Sequence, residues 1–168
     1  MLGGGPHAVD ILRWITGEYD EVFAYGLVTL KNQEKEDFAV ALYKSHEGRV
    51  ARVVVSYGIR RPYLLSIRIY GTKASFEQDI NPWSYLSGTL FMSPRREDSR
   101  RIVLREEETP IKIHGSADYL QALNFVNSIR GKEKPLVDVY EAAKTTVACI
   151  AALESMQKTS VVKIPRIE

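Results

Sequence analysis

Four stretches in the first half of the chain, residues 21–30, 38–43, 49–57 and 64–70, are crowded with β-branched and aromatic residues and separated by short polar or Gly/Pro punctuation. Connections this short cannot hold a crossover helix, so the stretches have to pair as an antiparallel meander. The turn chemistry agrees. Ser45-His46-Glu47-Gly48 reads as a tight hairpin, and Gly71-Thr72-Lys73-Ala74-Ser75-Phe76-Glu77 as a turn into a fifth strand. The first two stretches are apolar on both alternating faces. A sheet covered by helices on one side leaves its other side wet, and strands apolar on both sides need a second cover. Too few helices follow to supply it, so another chain is expected there, because an uncovered face would exceed what monomers usually expose.

The helices are legible from their ends. Gly3-Gly4-Gly5-Pro6-His7-Ala8-Val9-Asp10 runs into Ile11-Leu12-Arg13-Trp14-Ile15-Thr16-Gly17, a flexible loop opening a short helix. Gly5 is expected at the N-cap, Pro6 at the first helical position and Gly17 in the left-handed conformation after the last turn. His7 then sits in the first turn, where unpaired N–H groups and the positive end of the helix dipole suit a neutral imidazole that acts as a base or a hydrogen-bond donor to a substrate oxygen. Its bland alternative is a cap or a satisfied polar residue. Asp10 lies on the same helical side and, read structurally, is a favourable charge in a first turn. Arg13 and Trp14 are expected to pack or pair under the sheet. Residues 117–130, capped by Ser116, and 139–157, capped by Asp138 with Glu141 three residues on, form two closing helices. Residues 160–165 read as a short strand ended by Pro165.

Between residues 78 and 105 the pattern weakens to a loop and two further strands. Tyr63, Trp83 and Tyr85 in and near this region are candidate walls for a sugar or polyol, since aromatic faces stack on C–H surfaces; packing is the ordinary alternative for each. The chain as a whole, residues 1–168, is expected to be one α+β domain, a large and mostly antiparallel sheet with helices on one face and the other face open.

Composition narrows the function. With 45% hydrophobic and 26% charged residues the chain can bury a core. A net charge of +2 gives no footprint for nucleic acid, and the basic run at 95–101 is interrupted by acids. A single cysteine, Cys149, excludes an internal disulfide and reads as a small buried hydrophobe, which fits a cytoplasmic protein. No signal peptide and no uncharged span long enough for a bilayer are present, so no membrane is expected. His46 and His114 are expected in loops, without metal-ligand spacing. No strand precedes the three glycines, so they are no dinucleotide fingerprint, which needs strand, Gly-x-Gly-x-x-Gly and helix in that order. A helix-opening loop at residue 3 suggests that the chain begins at an internal boundary of a longer ancestral protein.

Gly5-x-His7-x-x-Asp10 followed by Leu12-Arg13-Trp14-Ile15-x-Gly17 resembles the segment that opens the C-terminal domain of the Gfo/Idh/MocA oxidoreductases, the glucose-fructose oxidoreductase and inositol dehydrogenase group. The Gly71-Thr72 hairpin and the ending Phe125, Ser128-Ile129, Gly131, Pro135, Asp138, Val161, Ile164-Pro165 are similar too. The resemblance implies the substrate-binding and oligomerisation domain of an NAD(P)-dependent oxidoreductase acting on a sugar, inositol or related polyol. His7 would be catalytic, and His7, Asp10, Tyr63, Trp83 and Tyr85 would meet the substrate. The family places an aspartate four residues before the histidine, where this chain has Gly3, and a lysine in a preceding nucleotide-binding domain. NAD or NADP would belong to a complete enzyme with a Rossmann domain, in the same polypeptide or as a separate subunit, with none bound by this chain alone, which would be inactive. The open sheet face would make a homodimer or homotetramer. Two rivals are a non-catalytic oligomerisation or carbohydrate-binding module and a lipocalin-like binder of small ligands.

Overall fold

The computed structural model describes the backbone of residues 4–60, 64–80, 87–92, 100–105 and 113–167. The chain divides into two units, Met1–Ile59 with Leu136–Glu168, and Arg60–Pro135. The first unit holds α1 (Gly5–Thr16), β1 (Tyr19–Leu27), β2 (Phe38–Ser45), β3 (Val50–Ser56), α3 (Val139–Lys158) and β8 (Val162–Lys163); the second holds β4 (Leu65–Tyr70), β5 (Ala74–Ile80), β6 (Ser87–Met92), β7 (Arg100–Arg105) and α2 (Ile113–Ile129). The α+β class is as expected, and every strand pair among the described residues is antiparallel. The strands form one four-stranded sheet in each unit, in the orders β3-β2-β1-β8 and β4-β5-β6-β7.

In the first unit the strand register sorts the side chains. Val22 pairs with Tyr43, Ala24 with Ala41, Ala41 with Val53 and Tyr43 with Ala51, so all of these share one face. They are buried in one cluster with Val9 of α1 and with Ala148, Cys149, Ala151 and Ala152 of α3. The small residues of α3 let it lie close to the strands: a Cβ on Gly26 would stand 2.6 Å from Met156 Sδ. Tyr19 and Tyr43 stack with centroids 4.6 Å apart, and the Tyr43 hydroxyl donates to the Ala148 carbonyl at 3.3 Å. Ser155 Oγ accepts from the Ala24 amide at 2.9 Å and donates to the Ser160 carbonyl at 2.6 Å, which ties the end of α3 both to β1 and to the segment leading into β8. Burial pushes the Cys149 thiol up to about 11, the state of an inert core residue.

Several boundaries differ from the sequence reading. The first strand was expected to reach residue 30, yet β1 ends at Leu27. The buried carboxylate of Asp37 accepts from the amides of Thr29 and Leu30 and from the Thr29 hydroxyl, which takes those groups out of the ladder. The N-cap of α1 is Gly4 and not Gly5, and Gly17 has a positive φ of 87° but a ψ of −178°, which is not the left-handed helical conformation expected. Helix α2 starts at Ile113, so Gly115 and Ser116 lie inside it and His114 is in its first turn, not in a loop. His46 does lie in the turn after β2, exposed, with Nδ1 3.3 Å from Asp20 Oδ2. The Asp138 cap holds as read, accepting from the amides of Tyr140 and Glu141 at 2.9 Å each. Among the described residues no helix is long and apolar enough to cross a membrane.

The Asp37 clamp gives a pH dependence. Hydrogen bonds from the Thr29 hydroxyl and amide hold its carboxyl below the usual aspartate range. The folded chain then binds this proton less readily than the unfolded one, so the clamp's contribution is present above the ordinary aspartate pKa and is lost as pH falls through the lower folded value. Exchange protection of the Thr29 and Leu30 amides, corrected for intrinsic rates, is expected to drop below about pH 4. Asp37→Ala should show that low protection already at neutral pH. Protection that stays level in the wild-type chain down to pH values where the fold itself fails would refute the clamp.

Candidate functional site

His7 stands exposed on the first turn of α1. Its helix starts without a side-chain cap, with Gly5 buried and Pro6, which has no N–H, in the opening positions. His7 makes no side-chain hydrogen bond among the described residues. The ring is thus free to meet a guest, and its place is set entirely by the helix that carries it.

That helix is fixed by a polar seam. Arg13, 8% exposed, donates from Nη1 to Glu18 Oε1 at 2.7 Å and from Nη2 to Glu141 Oε2 at 2.7 Å, with longer bonds to the Glu141 carbonyl at 3.3 Å and to Asp10 Oδ1 at 3.4 Å. The same Asp10 oxygen accepts from the Thr145 hydroxyl at 2.6 Å. Lys144 Nζ closes the seam at 2.8 Å from Glu141 Oε1 and 3.6 Å from Glu18 Oε1. Burial opposes the charge on Arg13, but the hydrogen bond to Glu141 and the charges of Glu18 and Glu141 outweigh it and raise its pKa. Lys144 and then Arg13 hold the Glu141 carboxyl below its usual range. Asp10 therefore serves α1–α3 packing with Oδ1, whatever else its carboxylate meets.

Arg13 pairs beneath the helix as the sequence suggested, but Trp14 does not: it is 87% exposed. Consecutive helical residues point about 100° apart, and burying Val9 and Arg13, four apart, turns Trp14 outward. That spacing was the available signal for Arg13, and its three acidic partners could not be read because two of them, Glu18 and Glu141, are brought together only by the fold. Tyr63, Trp83 and Tyr85 lie outside the described residues.

A recess of about 120 Å³ lies at the other end of α1, lined by Arg13, Glu18, Tyr19, Lys144, Ile164 and Arg166 among others. Its cations are already paired, Arg166 with Asp20 at 3.7 Å. Two polar atoms there, Arg13 Nε and Tyr19 Oη, have no partner among the described residues, but both are sealed from solvent and so cannot receive a guest. Among the described residues no three His, Cys, Asp or Glu gather closely enough to hold a metal ion. The exposed end of α1 is left as the candidate site.

An antiparallel sheet carrying a short uncapped helix and a long alanine-rich one on a single face defines an α+β sheet-and-helix domain. Residues 1–77 match the family model described as GFO/IDH/MocA C-terminal domain, so the first part of the chain is similar to that domain. A curated relative, the alpha-N-acetylgalactosaminidase of Tannerella forsythia, is 28% identical over 120 residues, covering 64% of this chain and 24% of the relative. Levoglucosan dehydrogenase in complex with NADH and levoglucosan has a similar fold, with a TM-score of 0.82 at 17% identity over 98% of this chain and 50% of that one. An oxidoreductase from Agrobacterium radiobacter in complex with NAD+, L-tartaric acid and magnesium gives a TM-score of 0.78 at 18% identity over 96% of this chain and 48% of that one. At such identities the likeness to the solved structures is one of fold. The chain spans about half the length of those structures and about a quarter of the curated relative.

Proposed function

We propose that the chain is the substrate-binding and oligomerisation domain of an NAD(P)-dependent oxidoreductase acting on a sugar, inositol or related polyol. The observation that carries the reading is His7, exposed on the uncapped first turn of α1 and unbonded among the described residues, within the segment that matches the family model. A dinucleotide site of the Rossmann kind is built at a strand–helix turn of a parallel βαβ unit, and the reading assigns that unit to a separate half. A nucleotide-binding half, in the same polypeptide or as a separate subunit, is therefore part of the proposal. It would supply the hydride acceptor. The part of His7 is at the substrate oxygen, where an imidazole within hydrogen-bond reach takes the hydroxyl proton as the carbonyl develops. Asp10 and the aromatic residues Tyr63, Trp83 and Tyr85 remain proposed substrate contacts. Reduced, buried Cys149 fits a cytoplasmic setting.

Two exposed apolar surfaces of the first unit suit the proposed partners. Trp14 of α1 and, at the start of α3, Val137, Val139 and Tyr140 are exposed apolar side chains of the kind a nucleotide-binding half would cover. The sheet face opposite α3 suits a second copy of the chain.

A second reading comes from the galactosaminidase relative: cleavage of a glycoside in place of net oxidation. Both are tested by joining the chain to its nucleotide-binding half and offering levoglucosan, myo-inositol and a chromogenic α-N-acetylgalactosaminide with NAD or NADP. NAD(P)H formation from a free polyol supports the oxidoreductase. Release of the chromophore without net NAD(P)H supports the glycosidase, and neither product with a folded, cofactor-loaded protein supports a non-catalytic module.

A further inference from the structure

We infer that Arg13 is a positioning residue for His7, holding the rotation of α1 through its fork to Glu18 and Glu141; this rests on the oxidoreductase reading above. Helix α1 has 12 residues, too few to be stable alone, and no side chain caps its start. Its orientation must come from tertiary contacts. On the sheet side those are Val9, fully buried, with Ala8 and Leu12 partly buried. On the α3 side they are Arg13 and Asp10, which engage Glu141 and Thr145, about one turn apart on α3. Around the helix axis Arg13 lies only about 40° from Val9, whereas His7 lies about 160° from it. The buried stripe Val9–Arg13 therefore sets where the imidazole points.

The chemistry of the contact makes Arg13 specific for this task. A planar guanidinium can donate to two carboxylates on different elements at once, one from each Nη group, and so fixes an angle; a lysine ammonium supplies charge without that fork. Glu18 belongs to the turn after α1 and Glu141 to the first turn of α3, so the fork spans the elements on either side of the helix end. Among the described residues the His7 ring has no bond of its own to correct a small rotation. Misplacement of a reacting group by about 1 Å through a change far from the chemistry can cost about 10²-fold in rate.

The test is a double-mutant cycle in the protein joined to its nucleotide-binding half, on whichever of levoglucosan or myo-inositol it oxidises, with Arg13→Lys and His7→Ala. Arg13→Lys is expected to lower kcat by about tenfold or more in the wild-type background, to leave KM within a few-fold, and to have less than about a twofold effect on kcat when His7 is already alanine. Exchange protection of the α1 amides should fall in step, in the isolated chain as well. Equal losses in both backgrounds, or no loss, would overturn the inference while leaving the proposed function standing. A His7→Ala enzyme as fast as the wild type would overturn the inference and remove His7 as the base, leaving the oxidoreductase reading without that residue. Should Arg13→Lys not fold, Thr145→Val loosens the same seam at Asp10 without altering charge, and the same cycle then decides.

Discussion

Replacing His7 by alanine in the protein joined to its nucleotide-binding half is expected to lower turnover by about 10²–10⁴-fold, the usual contribution of a positioned general acid or base. Any acceptor that abstracts the hydroxyl proton has to lie within hydrogen-bond reach of it, and His7 is exposed on an open helix start with nothing described bonded to it. The fold should be indifferent to the change, because the side chain packs against nothing that the removal would empty. The family's aspartate position is Gly3 here, so the imidazole lacks that orienting partner. If a group from the other domain carries the proton and His7 only binds the substrate oxygen, the loss shrinks to that of one neutral hydrogen bond, about 0.5–1.5 kcal/mol, and appears in KM as much as in kcat. Turnover and affinity both unchanged would take His7 out of the site.

The sequence made the individual strands and their hairpins legible because periodicity and turn chemistry are local, but not the break after β3, which puts β4 in a second sheet. Phe38 and Val50 start strands near where the pattern begins, and Asp138 caps α3 as its spacing with Glu141 suggests. It was silent where distant groups compete with local preference. The run Val28-Thr29-Leu30 has strand composition, yet Asp37, seven residues beyond Leu30, captures its amides. Trp14 looked like a core residue by type, and helical geometry together with Arg13 turned it outward. His7 could be placed on a first turn from Pro6 and Gly17 alone. The seam that fixes its direction could not, because the bonds from Arg13 to Glu141 and from Thr145 to Asp10 span well over a hundred residues of chain.

Leu42→Glu is expected to abolish the self-association proposed for the first unit's open sheet face. The face of the first unit's sheet turned away from α3 carries Phe23 opposite Leu42 and Tyr25 opposite Val40, with Val54 beyond Val40. Phe23 and Tyr25 meet edge to face at 4.8 Å, which presents a rigid aromatic ridge beside Leu42. Tyr25 is 58%, Leu42 47% and Val54 49% exposed, an arrangement that single chains seldom leave in water. A second copy presenting the same face would bury it isologously, with each Leu42 near the middle strand of the contact. Within one chain the new carboxylate is tolerated, since the residue opposite position 42 on β3 is Arg52 and a cross-strand pair of opposite charge is worth about 0.2–1 kcal/mol. Between two copies it forfeits about 1.5–3 kcal/mol of apolar burial and adds the cost of burying charge, so association should weaken at least about a hundredfold. Sedimentation equilibrium over a wide concentration range measures this directly, with circular dichroism confirming that the variant is folded. A wild-type chain that stays monomeric at the highest concentration, or a Leu42→Glu chain that associates as tightly as the wild type, would show that this face is covered in some other way.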